Sequence, residues 1–276
     1  MQQHVLNLRF SLILYFFGFF QIYSQEEISV NPIATEVISF SKIKNIDLSN
    51  DFPFPGNQGK INNCVTWAVA YCRTYKLKQE KGNTINLLGR NNSFYYPHVN
   101  IETTFSPFYI YKNIPRKNNG TTSLECALTF LKDKGCCFLS QVDDVKNQMN
   151  EDLLILAMTY KSKFYSIKKD NILPALVILL NRNIPILSTL TIGNKLVEFN
   201  TENKDEVLDI DKIKAGTEFN HTVCIVGYRK EANEKYTFKI LNSWGCSWGY
   251  LGYAWITGNA IQRAGKEFYC LEGDEK

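Results

Sequence analysis

The sequence predicts an α+β fold: a helical N-terminal lobe followed by a β lobe. Two observations carry this. Segments with helical spacing come first, and short runs rich in β-branched and aromatic residues come last, so the two kinds of element are segregated instead of alternating. The composition fits a globular chain, with 45% hydrophobic and 21% charged residues over 276 positions.

The elements follow in chain order. Residues 1–24 read as a secretory signal: one basic residue, Arg9, precedes the apolar run Phe10–Phe20, and polar residues begin at Gln21. That run is shorter than the ~20 residues of a membrane span. Cleavage after Ser24 or Gln25 would leave an exported chain, secreted or retained in the periplasm or cell envelope, with no stable membrane insertion. Residues 25–56 form an extended arm, punctuated by Asp47, Asp51, Pro53, Pro55 and Gly56. In CVTWAVAYCRTYKLK, residues 64–78, Ala68, Tyr71, Cys72 and Tyr75 recur on one helical face, and Asn62 or Asn63 can cap its start. Residues 80–120 are rich in Asn, Gly, Ser and Pro and read as loop, interrupted by a short helix over 106–114 with Pro107 at its first position. Residues 122–134 give a helix stopped by Gly135, and 172–182 another, stopped before Pro185. Strands follow at ILSTLTIG, HTVCIVGYR, YTFKILNSW and GYAWITG, with the mixed-charge stretch 201–214 as a solvated loop between them.

Charge and cysteines narrow the function classes. The net charge of +4, one unit of it from Arg9, is evenly spread with no basic run longer than a pair, which argues against nucleic acid. Eight cysteines contain no Cys-x-x-Cys pair, and three histidines, one in the leader, leave little for a metal site; no cofactor is implied. Cys72 and Cys224 sit in apolar runs and read as core packing. The adjacent Cys136 and Cys137 cannot easily pair with each other, so a partner elsewhere is expected for one of them. His98, in the loop YYPHVN, reads as a surface residue.

The chemistry lies in four residues. Cys64 opens a helix, where unpaired N–H groups and the helix dipole favour a thiolate. Gln58, six positions earlier, can donate from its side-chain amide to a developing oxyanion, with the Cys64 N–H as second donor. His221 heads a strand, and Asn242 in Asn-Ser-Trp-Gly can hold the far nitrogen of its ring.

Three blocks resemble the papain superfamily of cysteine peptidases: NQGKINNCVTWAVAY (57–71), NHTVCIVGY (220–228) and FKILNSWGCSWGYLGYAWI (238–256), in that family's order. The resemblance implies a two-lobed papain-like domain over 57–276, an N-terminal helical lobe and a C-terminal antiparallel β lobe with the active-site cleft between them. It makes Cys64 the nucleophile, His221 the acid and base, Asn242 its orienting residue and Gln58 the oxyanion donor. Trp244 would shield the His–Asn hydrogen bond, Trp248 would extend the same wall, and both are expected to line the substrate-binding side of the cleft. Asn119 and Gly120 resemble the Gly-Gly stretch that binds substrate backbone, although Thr121 replaces the second glycine. The implied activity is thioester-forming hydrolysis of peptides or proteins by a monomer. Departures are informative: Val65 stands where the family has Trp, as in bacterial members; Ile61 replaces a disulfide cysteine; and the space before Cys64 is too short for the family's long propeptide. Two other readings use the same scaffold, a catalytically impaired binding protein and an acyl transferase of the transglutaminase kind, for which an Asp in place of Asn242 would be expected.

Overall fold

The computed structural model describes residues 27–28, 45–90, 93–142, 151–208, 218–231 and 235–272. The proposed leader and most of the arm lie outside these residues.

The predicted first helix is α1, Cys64–Lys81, and every residue from Val65 to Tyr75 is buried. The face seen in the sequence is therefore only part of a helix covered on all sides. Its one buried cation, Arg73, is satisfied by Glu80 at 3.4 Å and the Tyr160 carbonyl at 3.2 Å, with its guanidinium over the Phe105 ring. The next two helices have the predicted punctuation. Helix α2, Pro107–Asn113, has Pro107 at its first position, and Ser106 accepts from the Tyr109 N–H at 3.2 Å. Helix α3, Leu124–Lys134, is capped by Ser123 and ends at Gly135, whose φ is 76°. Only glycine fits there, because a Cβ would stand 1.8 Å from the Ala157 carbonyl oxygen. Ala157 belongs to α4, Glu151–Met158, which the sequence did not announce: LLILAM is an apolar run without a helical period.

Helix α5, Ile172–Asn181, is apolar along nearly its whole length and packs on the sheet; the four-residue α6, Asn194–Val197, follows the next strand. Among the described residues the sheet has nine strands: β1 Glu27–Ile28, β2 Asn45–Asp47, β3 Phe164–Ile167, β4 Ile186–Ile192, β5 Val207–Leu208, β6 Phe219–Lys230, β7 Tyr236–Leu241, β8 Tyr253–Thr257 and β9 Gly265–Leu271. Their order is β1-β3-β9-β4-β6-β7-β8-β5, with β2 on the far end of β6. Pairing is antiparallel except at the two edges, β1 with β3 and β5 with β8. The twelve-residue β6 is the spine, and its run from His221 to Tyr228 is wholly buried because α1 and α5 both pack against it.

Three readings change. The arm is not irregular throughout, since Asn45–Asp47 pairs with β6 and brings Phe52 onto Tyr75 at 4.7 Å. The stretch 201–214 is loop only to Glu206 before Val207–Leu208 joins β8, and 209–217 lies outside the described residues. Strands β3 and β9 and helix α7, Gly258–Ala264, lay in segments with no clear period.

All eight cysteines are free thiols. The partner expected for Cys136 or Cys137 is absent: both are buried, Cys136 against the Tyr160 carbonyl and Cys137 against that of Leu153. His98 is exposed as expected and meets Phe54 edge-on. Among the described residues no helix is long and apolar enough to cross a membrane, and no group of three or more metal-ligating side chains forms.

Candidate active site

Three elements converge on one point. Helix α1 brings Cys64 at its first residue, β6 brings His221 near its start, and the chain leaving β7 brings Asn242. The β6–β7 register, Cys224 opposite Leu241, makes His221 and the residues after Leu241 near neighbours across the strands. The segment before α1 folds back on the same place, since the Gln58 N–H donates to the Ser243 carbonyl at 2.7 Å.

The start of α1 is unusual. Asn63 is its N-cap, yet its side chain makes no capping bond and is buried without a partner, while Asn62 donates to the Asn119 carbonyl at 2.8 Å. The expected side-chain cap is therefore missing. The consequence is that N–H groups at the helix start stay available to Cys64, whose sulfur is met by the backbone at Val65 and Thr222. Burial pushes the Cys64 thiol up, but the neighbouring His221 charge, its hydrogen bond and these backbone contacts outweigh it, so the thiol lies below its ordinary range.

Hydrogen-bond logic fixes the imidazole. The Asn242 side-chain atom at 2.7 Å from the Ser243 N–H must be Oδ1, because that partner can only donate. The same Oδ1 lies 2.7 Å from His221 Nε2, so Nε2 carries a proton and donates to it. The other ring nitrogen, Nδ1, is left to face Cys64. Both Asn242 and His221 are buried, which strengthens the bond. The half-buried Trp244 lies over the imidazole, ring centres 4.3 Å apart at 30°, and keeps water from its edge.

The same reasoning orients Gln58. Its Nε2 donates to the Ile61 carbonyl at 2.8 Å, so its Oε1 accepts from the Ser243 hydroxyl at 2.6 Å. Gln58 is thus clamped to Ser243 through side chain and backbone, and one Nε2 proton remains for an acceptor in the cleft. Ser243 bridges Asn242 and Gln58. The sequence reading missed it, although its place inside Asn-Ser-Trp-Gly was the available signal.

The remaining candidates divide. Trp248 is buried, meets Trp244 edge-on at 5.7 Å and donates its indole N–H to the Leu196 carbonyl at 2.6 Å. It supports Trp244 from behind. Asn119 and Gly120 are tied next to Cys64 through Asn62. The Gly120 N–H is already given to the Lys117 carbonyl at 2.8 Å and its carbonyl accepts from Tyr111 at 3.0 Å, so toward a peptide Gly120 can offer only the second lone pair of that carbonyl.

With this geometry in place, known proteins can be compared. Residues 143–269 match the model of the family described as papain family cysteine protease, a stretch that holds His221 and Asn242 and stops short of Cys64. Solved structures align over nearly the whole chain. Xylellain, a cysteine protease from Xylella fastidiosa, is 18% identical with a TM-score of 0.67, covering 90% of this chain and 91% of its own. The fold is papain-like. Digestive procathepsin L 3 from Tenebrio molitor aligns at 14% identity and TM-score 0.58, over 82% of this chain and 69% of its own. The Carica candamarcensis cysteine protease CMS1MS2, solved in complex with E-64, aligns at 16% identity and TM-score 0.58, over 84% of this chain and 99% of its own. No curated protein matches the chain. The family match and the papain-like fold together support a cysteine-type peptidase, a hydrolase.

Proposed function

We propose that this protein is an exported cysteine peptidase that hydrolyses peptide bonds through a thioester on Cys64. The observation that carries the reading is the hydrogen-bonded chain Cys64–His221–Asn242 at the meeting point of α1, β6 and β7. The Cys64 thiolate attacks the scissile carbonyl, and the oxyanion is held by the Cys64 N–H and the spare Gln58 Nε2 proton. His221 Nδ1 gives its proton to the leaving amine, which departs as the thioester forms. The same nitrogen then takes a proton from water, whose oxygen attacks the thioester, and collapse releases the acid and restores the thiolate. Asn242 Oδ1 keeps the imidazole in the tautomer and orientation both half-reactions need. Asn242 also favours this reading over acyl transfer of the transglutaminase kind.

E-64, bound in the Carica candamarcensis relative, provides the test. It should label the purified protein on one cysteine and leave Cys64→Ala unlabelled; equal labelling of the two removes Cys64 from the mechanism. Export rests on the segment from Arg9 to Phe20 and is checked by the N-terminal sequence of protein recovered outside the cytoplasm, expected to begin at Gln25 or Glu26. We further infer that residues 57–276 are the catalytic domain and act as a monomer on peptide or protein substrates.

A further inference from the structure

Cys72 and Cys224 are buried at the centre of the molecule, each only 1% exposed, with their sulfurs 3.4 Å apart. Cys72 stands eight residues after the nucleophile on α1, and Cys224 three residues after His221 on β6. They meet where the two elements that carry the catalytic pair press together. Cys224 also touches the Ala68 carbonyl at 3.4 Å, one helical turn before Cys72, so its side chain is aimed into α1. Packing alone accounts for small side chains here, but it does not call for two oxidisable ones facing each other.

We propose that Cys72 and Cys224 are a disulfide-forming pair, oxidised as the chain folds, which staples the nucleophile's helix to the base's strand. The bond needs the sulfurs to close from 3.4 Å to about 2.05 Å. The oxidant is a small-molecule disulfide. One thiolate of the pair attacks it, giving a mixed disulfide and releasing one reduced thiol. The second protein thiolate then attacks the mixed disulfide, forming the Cys72–Cys224 bond and releasing the second reduced thiol. Two protein protons pass to the two released thiols, and two electrons reduce the oxidant.

Timing follows from burial. In the folded protein the pair is shielded from reagents, and burial together with the neighbouring Cys224 raises the Cys72 thiol far above its ordinary range, so little thiolate is present. The redox state set during folding is therefore locked in afterwards. Cys64 is the opposite case, with a thiol drawn down and partly exposed to the cleft. One mild reductant would then keep the nucleophile free while leaving the staple closed. The pairing does not depend on the proposed peptidase activity; only its physiological setting depends on the proposed export.

The test is a peptide map of the full chain refolded in a mixture of oxidised and reduced glutathione, denatured in iodoacetamide and digested without reduction. The expected result is a peptide holding Cys72 linked to one holding Cys224, lost on reduction, with Cys64 alkylated in the same sample. Recovery of both cysteines alkylated overturns the proposal, and so does either of them linked to another cysteine, such as Cys270. As a second measurement, the oxidised wild type should unfold on the order of 10 °C above its fully reduced form, as expected for a staple closing a long loop. Cys72→Ala with Cys224→Ala should abolish that difference; if the double variant does not fold, the wild-type peptide map decides.

Discussion

Replacing Asn242 by Ala probes the site most directly, because one atom of that side chain fixes the imidazole. Oδ1 accepts from His221 Nε2 and from the Ser243 N–H, each at 2.7 Å, in a buried position beneath Trp244. The first bond becomes a hydrogen bond to a charged group once the ion pair forms, worth about 1.5–3 kcal/mol. Losing it should lower kcat/KM roughly 10- to 150-fold at 1.4 kcal/mol per factor of ten. The second loss strands a buried backbone N–H and should cost about 1–3 kcal/mol of fold stability. These costs are separable. Peptide hydrolysis and the rate of Cys64 alkylation read the catalytic part, and thermal unfolding reads the structural part. Both catalytic rates should fall together while the protein remains folded at 25 °C. If Asn242→Ala hydrolyses a peptide substrate within twofold of wild type, Oδ1 does not orient the base and the tautomer argument fails.

Three further outcomes follow from the same geometry. Gln58→Ala removes the spare amide proton and unpairs the Ser243 hydroxyl; steady-state kinetics should show a kcat/KM loss of about 10²-fold, with E-64 still labelling Cys64. His221→Ala takes away the charge and the side-chain hydrogen bond that draw the Cys64 thiol down and leaves burial, the largest single influence, opposed only by the backbone contacts at Val65 and Thr222. The pH midpoint of Cys64 alkylation should rise from its place below the ordinary thiol value of about 8.5, and an unmoved midpoint refutes the ion pair. Gly135→Ala places a Cβ against the Ala157 carbonyl at a positive φ; thermal unfolding should show a stability loss of about 1–3 kcal/mol or more with unchanged E-64 labelling.

The sequence by itself determined the parts whose information is local. Helix α2 was legible because Ser106 and Pro107 are start signals, and α3 because Gly135 is a stop. The four residues of the proposed chemistry were legible because a thiol at a helix start, an imidazole heading a strand and two carboxamides have few other reasons to occur in that order. Tertiary structure decided the rest. Helix α4 and strands β3 and β9 lack a period of their own and owe their form to the surfaces they cover. The Asn63 cap failed because its side chain is enclosed by the fold. Trp248 and Gly120 were expected as substrate contacts, and only the fold showed that Trp248 gives its indole N–H to the Leu196 carbonyl, 52 positions away in sequence, and that the Gly120 carbonyl already accepts from Tyr111. Ser243 became visible as the bridge between Asn242 and Gln58, and Cys72 as the partner of Cys224, only when α1, β6 and β7 were brought together. A linear pattern specifies which groups a segment carries; hydrogen-bond direction and side-chain contact depend on what the rest of the chain places opposite them.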